Sequence, residues 1–150
     1  MIFRGTFEHA LDAKYRLTVP AKFRAGLAGR LVLAITPPTE ESNARSLSIW
    51  PADAFDEFAE LALKSLHPLS PRAEVLRNAL YANSWDTELD SANRLMIPQP
   101  ARDFVGLGKD VVITGAGNSL QVWDRGAYAA YNAGILARFP EIAASFDHTD

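Results

Sequence analysis

From Phe3 to Leu11 the chain alternates, with Phe3, Gly5, Phe7, His9 and Leu11 on one face and Arg4, Thr6, Glu8 and Ala10 on the other. A period of two with aromatic members predicts a half-buried strand. The pattern returns at Tyr81, Asn83, Trp85, Thr87 and Leu89. Each alternating stretch runs into an Asp-x-x-x-Arg segment, Asp12 to Arg16 and Asp90 to Arg94. An Asp at the start of a turn accepts hydrogen bonds from backbone amides just ahead of it, which fixes a tight hairpin. A short apolar strand, Leu17 to Val19, follows the first turn and is ended by Pro20. A short helix is expected over about Ala21 to Ala25, with Gly26 as its stop. Leu31 to Thr36 and Leu47 to Trp50 read as two further strands, joined by a loop at about Pro37 to Ser46.

Longer helices are expected after each of these units. Past Trp50, the residues Phe55, Phe58, Ala59, Ala62 and Leu66 share a face opposite Asp56, Glu57, Glu60 and Lys64. Past Trp123, the residues Tyr128, Tyr131, Ile135 and Phe139 do the same as far as Pro140, with Gly126 and Gly134 weakening the helix. Ser70 and Pro71 read as the N-cap and first position of a connecting helix through about Tyr81.

The two units are drifted copies of one another. Phe7, Leu11, Asp12, Arg16, Leu17, Val19, Pro20 and Arg24 fall on Trp85, Leu89, Asp90, Arg94, Leu95, Ile97, Pro98 and Arg102 at a constant offset of 78. Leu47, Ile49, Trp50 and Phe55 then fall on Leu120, Val122, Trp123 and Tyr128 at an offset of 73, because the first copy has the longer loop. A unit of about 40 residues cannot cover both faces of its own sheet. Two that interlock their hairpins form a small pseudo-twofold β-barrel with peripheral helices and few open edges. The expected class is therefore α+β, one domain over 1–150. Within it lie a first repeat at 3–66, a connecting helix at 67–81, a second repeat at 82–140 and a loose polar tail at 141–150.

Composition narrows the classes of function. At 150 residues and 48% hydrophobic, the chain can bury a core, and it has no cysteine for a disulfide or a thiolate site. Its longest apolar run, around Leu31 to Ile35, is far too short for a membrane span. Arg4, Glu8 and Asp12 interrupt the N-terminal stretch, so no secretory signal is expected and the cytoplasm is the default compartment. The net charge of −3 is unevenly spread. Residues 4–32 hold Arg4, Lys14, Arg16, Lys22, Arg24 and Arg30 against Glu8 and Asp12, a net of +4. The matching window 82–110 holds Arg94, Arg102 and Lys109 against Asp86, Glu88, Asp90, Asp103 and Asp110, a net of −2. Opposite charge on two copies of one unit implies divergence in role.

The candidate chemistry lies on the first hairpin. Lys14 and Arg16 form a cationic tip that can enter a groove, Arg forking onto guanine and Lys meeting phosphate. Lys22 and Arg24, placed by sequence about one turn away, add phosphate contacts, and Arg4 completes the candidate DNA-binding set. The competing reading is a solvated cluster in which Arg16 pairs with Asp12. Tyr15 has two readings as well: stacking on a sugar or base, or covering a neighbouring side chain. In the acidic copy, Arg94 and Arg102 are expected to pair with Asp90 and Asp103 and to hold the fold or a subunit contact. Asp86, Glu88 and Asp90 share a strand face without a His or further carboxylate to complete a metal or acid–base site, and read as a solvated edge. Gly115 to Asn118 reads as a hairpin turn, since a phosphate loop would need a following Lys-Ser/Thr and a long helix. His9, His67 and His148 are scattered. No nucleophile–base–acid arrangement emerges, so neither enzyme activity, cofactor nor metal is expected.

The runs Phe3 to His9 and Leu11 to Arg24 resemble the MraZ family, bacterial proteins with two AbrB-like (SpoVT/AbrB-type) ββαββ repeats. The second motif at Asp90 to Arg94, Lys109 to Ile113, Gly117-Asn118 and Val122-Trp123 carry the resemblance through about residue 130. It implies a DNA-binding transcriptional regulator of the division and cell-wall gene cluster, nucleoid-associated in the cytoplasm. It also implies a homo-oligomeric ring on double-stranded DNA carrying short direct repeats. Four cations on four phosphates give a salt slope of about −3.6, so several linked subunits are needed for tight binding. A function of another class, an oligomeric interaction or structural module whose basic hairpin meets an acidic partner, fits the same charge pattern. The family's usual Gly before the motif Arg is here Tyr15 and Asn93; a position needing positive φ suits Asn and costs Tyr.

Overall fold

The structure, a computed structural model, describes residues 1–36 and 44–145. The expected loop at Pro37 to Ser46 lies outside the described residues up to position 43, as does His148. Among the described residues eight strands run in the order β1 (Thr6–Ala10), β2 (Arg16–Thr18), β3 (Leu31–Thr36), β4 (Ser46–Pro51), β5 (Ser84–Thr87), β6 (Arg94–Met96), β7 (Asp110–Gly115) and β8 (Leu120–Asp124). Six of them form one antiparallel sheet in the order β1-β7-β8-β4-β3-β5. The copies exchange strands. β1 of the first pairs with β7 of the second (Thr6 opposite Thr114), and β5 of the second pairs with β3 of the first (Leu31 opposite Thr87). β4 and β8 meet in the middle, Leu47 opposite Val122. From either edge the order is the same, so a pseudo-twofold axis passes between β4 and β8.

The expected barrel does not close. β1 and β5 remain as the two ends of the sheet, and β2 and β6 leave it to pair only with each other. Each Asp-x-x-x-Arg turn sends its following strand out to its counterpart in the other copy, and a three-residue strand is too short to stitch two sheet edges together. The ribbon covers the core instead. Leu17 and Leu95, opposite each other on it, pack into one cluster with Phe3, Leu33, Ile49 and Ile113, so both copies share a single interior. Burying each such side chain contributes roughly 1.5–3 kcal/mol, and here neither half can collect that gain alone.

The short helices differ between copies. The first is two successive 3₁₀ turns, Ala21–Phe23 and Ala25–Leu27, rather than the single helix expected. The second is a true helix, α3 (Gln99–Val105), closed by Gly106 at φ +72°, and the amides of Gly106 and Leu107 both donate to the Arg102 carbonyl. At the offset of 78 the first copy has Ala28, at φ −71°, where the second has Gly106, and its positive-φ glycine, Gly29, comes one position later.

Two longer helices cover the outer face of the sheet. α1 (Ala52–Lys64) packs Phe55 edge-on against Trp50 at 5.8 Å, and the indole N–H donates to Ser48 Oγ at 2.8 Å. α4 (Arg125–Ser145) repeats the device: Tyr131 stacks on Trp123 at 4.8 Å, and that indole donates to Thr114 Oγ1 at 3.0 Å. α4 does not stop at Pro140 as the periodicity suggested. The missing amide leaves only the Leu136 carbonyl without its bond, and Leu136 is exposed, so water can serve it. Between the copies, α2 (Pro71–Arg77) begins at Ser70, whose Oγ accepts from the Ala73 amide at 3.2 Å, and it widens into a π-type turn over Asn78–Ala82. Ser70→Ala is expected to cost about 1 kcal/mol and Ser70→Asp almost nothing, read from urea unfolding midpoints.

The β7–β8 connection is the hairpin turn expected at Gly115 to Asn118. It also holds the chain's start: Phe3 and Gly117 exchange backbone hydrogen bonds of 2.7 and 3.1 Å, and the Gly115 amide donates to the Gly5 carbonyl at 2.9 Å. Gly5, at φ +106°, breaks the first alternating stretch, so regular pairing starts only at Thr6.

Candidate nucleic-acid interface

Both hairpin turns are built by one carboxylate. Asp12 Oδ1 accepts from the amides of Lys14 and Arg16, each at 2.9 Å, and Oδ2 accepts from Arg16 Nε at 2.7 Å. Asp90 does the same with the amides of Ala92 and Arg94 at 2.9 Å and with Arg94 Nε at 3.0 Å. Folding the backbone around that oxygen forces the residue before each Arg into the left-handed region, Tyr15 at φ +59° and Asn93 at φ +60°. This is the position where the resemblance expects Gly; Asn tolerates it, whereas the Tyr Cβ makes it cost roughly 1–2 kcal/mol.

The Arg16 amide is the main force holding the Asp12 carboxyl below the usual range, outweighing a desolvation effect in the other direction, with the Arg16 guanidinium and the Lys14 amide assisting. The Arg94 amide acts likewise on Asp90. A carboxyl depressed in the folded state stabilises it above the ordinary value of 3.8, and that contribution disappears as pH falls through the lower folded value. The Asp12→Asn, Asp90→Asn double variant is therefore expected to lose part of the acid dependence of its unfolding midpoint below pH 3.8. An acid limb as steep as the parent's would show that the turns do not contribute it.

The ribbon register separates cations that lie close in sequence. Arg16 stands opposite Met96 and Thr18 opposite Arg94. The Tyr15 carbonyl accepts from the Ile97 amide at 3.1 Å, and the Asn93 carbonyl from the Val19 amide at 3.0 Å. Each turn thus sits against the segment leaving the other copy's strand. Lys14 and Arg16 lie at one end; Lys22 and Arg24, expected beside them, leave from the end that carries Arg94. Lys22 Nζ reaches the Arg4 carbonyl at 3.3 Å and hovers over the Phe7 and Phe23 rings, which puts Arg4 at that end too. Arg24 Nε is tied to the Val19 carbonyl at 3.0 Å.

Arg16 is paired with Asp12, as the solvated-cluster reading held. The pairing uses Nε and leaves the outer Nη edge of the fork for another acceptor. Arg94 and Asp90 form the same ion pair at 3.0 Å, as expected, so the bond itself does not distinguish the copies. What differs is the neighbour: Lys14 in one turn and Ala92 in the other. Arg102 does not pair with Asp103. Its Nη1 donates to the Ile97 carbonyl at 2.6 Å, and its guanidinium lies over the Tyr15 ring at 3.8 Å. Tyr15 therefore covers a neighbouring side chain, and that neighbour is a cation of the second copy. Lys109 joins the same end, lining a hollow of about 470 Å³ with Leu11, Asp12, Ala13, Tyr15 and Leu107. Sequence reasoning missed both partners, because pairing across the copies follows from the strand exchange.

The remaining candidates have ordinary roles. Asp86, Glu88 and Asp90 alternate with half-buried residues along a solvated face, and Asp90 is committed to its turn. His67 Nδ1 accepts from the Leu69 amide at 3.1 Å. Among the described residues no helix is long and apolar enough to cross a membrane.

Fold and site together define a class: a duplicated, strand-exchanged α+β protein that carries an Asp-braced basic turn at one end of a ribbon and its charge-depleted twin at the other. The family model described as "MraZ protein, putative antitoxin-like" matches residues 2–73 and again 80–147, one match for each copy. The chain is 36% identical over 127 residues to a Nitrosomonas europaea protein, covering 82% of this chain and 81% of that one. It is 34% identical over 142 residues to an Oenococcus oeni protein (95% and 94% covered) and 34% identical over 150 residues to one from a Nocardioides species (99% of each). All three carry the name "Transcriptional regulator MraZ". The chain belongs to the MraZ family.

Proposed function

We propose that this protein is a transcriptional regulator that binds double-stranded DNA at short direct repeats, through the Lys14–Arg16 tips of several subunits held in a ring. The observation that carries the reading is the contrast between two turns of equal geometry. In one turn Asp-braced Arg16 has Lys14 beside it; in the other Asp-braced Arg94 has Ala92. A guanidinium braced at Nε presents its Nη edge in a fixed direction, which suits bidentate recognition of a guanine edge, while Lys14 meets phosphate. Arg4, Lys22 and Arg24, at the far end of the ribbon, serve backbone contacts with a second stretch of DNA or with a neighbouring subunit's DNA.

The register strengthens the case for an assembly. With the four cations divided between two ends, one tip carries two of them, and even with both counted as phosphate contacts its salt slope is only about −1.8, too weak to hold a site alone. Joining tips in one rigid ring makes later contacts intramolecular and raises avidity by roughly 10²–10⁴. The relatives' printed name supports regulation of transcription. The family resemblance supports AbrB-like repeats at 3–66 and 82–140, the division and cell-wall gene cluster as target, and a cytoplasmic, nucleoid-associated location. The test is selection from random DNA, followed by gel shifts on the chain's own upstream region. Enrichment of a repeated short motif, bound by an oligomer, is the expected result. Equal binding to scrambled DNA, or tight repeat binding by a monomer, overturns it.

A further inference from the structure

We infer that Tyr15 and Arg102 form a phosphate-contacting subsite of the basic tip, so that the DNA-facing surface is assembled from both copies of the repeat. The inference rests on the DNA-binding reading and adds to it a residue from the acidic copy. Three contacts fix Arg102 at this end. Its Nη1 donates to the Ile97 carbonyl at 2.6 Å, its guanidinium lies 3.8 Å from the Tyr15 ring centre, and the Ile97 amide donates to the Tyr15 carbonyl at 3.1 Å. The bond to Ile97 uses one terminal nitrogen. Nε and the other terminal nitrogen keep N–H groups for an anion, and the side chain is only half-buried.

The clamp is particular to this turn. At the pseudo-equivalent place in the other turn stands Asn93, which has no ring, and there Arg24 is held through Nε alone. Tyr15 adopts φ +59°, a conformation that a ring-bearing residue pays for and that Asn93 shows a smaller residue can take. Half of its surface is exposed. A strained, exposed aromatic whose ring lies against an arginine from the other copy acts by orienting that arginine. The tip then offers Lys14, Arg16 and Arg102 rather than two cations, and Tyr15 is a positioning residue.

The experiment measures DNA affinity against salt for the full-length protein and for Tyr15→Phe, Tyr15→Asn, Arg102→Ala and Arg16→Ala, each first checked for folding by thermal unfolding. Tyr15→Asn and Arg102→Ala are expected to flatten the salt slope by about 0.9 per engaged subunit, and to weaken binding at 0.15 M salt by about fivefold per engaged subunit. Combining them should cost little more than either alone, and Tyr15→Phe should restore parental behaviour because it keeps the ring. A parental slope in Tyr15→Asn or in Arg102→Ala, beside lost binding in Arg16→Ala, overturns the subsite and leaves the DNA reading standing. If Arg16→Ala also binds as the parent does, the DNA reading falls and the subsite with it.

Discussion

Arg16→Ala is expected to abolish specific DNA binding, and Arg94→Ala to leave it within about twofold of the parent. The two substitutions are matched in their effect on the fold: each removes a guanidinium whose Nε is bound to the Asp four residues earlier, at 2.7 and 3.0 Å. Any difference in DNA affinity therefore comes from what the outer edge of each fork meets. A bidentate arginine–guanine pair is worth about 1–3 kcal/mol, or roughly 5–150-fold. Truncating Arg16 also leaves the Asp12 carboxylate without the guanidinium that pairs with it. Several tips in one assembly multiply the loss, so even the low end of that range removes measurable binding to a repeated site. Fluorescence anisotropy with a labelled operator, with circular dichroism to verify folding, reads both variants. Equal losses in two folded proteins would refute the division of labour between the copies.

Gly115→Ala is expected to be the most damaging single methyl group in this chain. A Cβ at Gly115 would lie 2.4 Å from the Phe3 carbonyl oxygen and 2.5 Å from both the Arg4 nitrogen and Cα. All three are backbone atoms that cannot rotate away. The N-terminal segment must move off the hairpin, losing the paired bonds between Phe3 and Gly117 and loosening Phe3, which is 2% exposed, from the shared interior. Overpacking costs about 1–3 kcal/mol and each forfeited bond about 1 kcal/mol, so a loss of roughly 3–5 kcal/mol is expected, with a melting point lower by about 10 °C. Gly29→Ala is the control. Gly29 sits at φ +88° with nothing near its missing Cβ, so it should lose only the local strain of roughly 1–2 kcal/mol. Similar melting points for the two variants would mean that the close approach at Gly115 relaxes at no cost.

Much of the fold was legible where pattern and turn chemistry coincide. The Leu31 to Thr36 strand, the Ser70 cap and the two Asp-braced turns stand where period, capping and Asx chemistry place them. Partnership was less legible. Nothing in the alternation of Phe3 to Leu11 says that its neighbour is β7, about 100 residues on, and nothing in Leu17 to Val19 says that it leaves the sheet to meet Leu95. The closed barrel was the natural guess for eight strands seeking to lose their edges. It failed because the ribbon strands are three residues long. The site followed the same rule: Lys14 and Arg16 could be read from their spacing, whereas the separation of Lys22 from them and the arrival of Arg102 depend on antiparallel register across the copies. The signal for Tyr15 was available in part, as a bulky residue at a position whose geometry favours Gly or Asn.

The strand exchange also dictates a timetable for folding. Thr6 cannot meet Thr114, nor Leu31 meet Thr87, until most of the polypeptide exists. A nascent first copy leaving the ribosome therefore carries β3 without its eventual outer neighbour, and β1 without any neighbour at all. Contacts between residues so distant in sequence make closure slow and leave the early chain sticky. A twin from another polypeptide presents the same vacant strand edges, so intermolecular swapping is the competing outcome that synthesis in tandem suppresses.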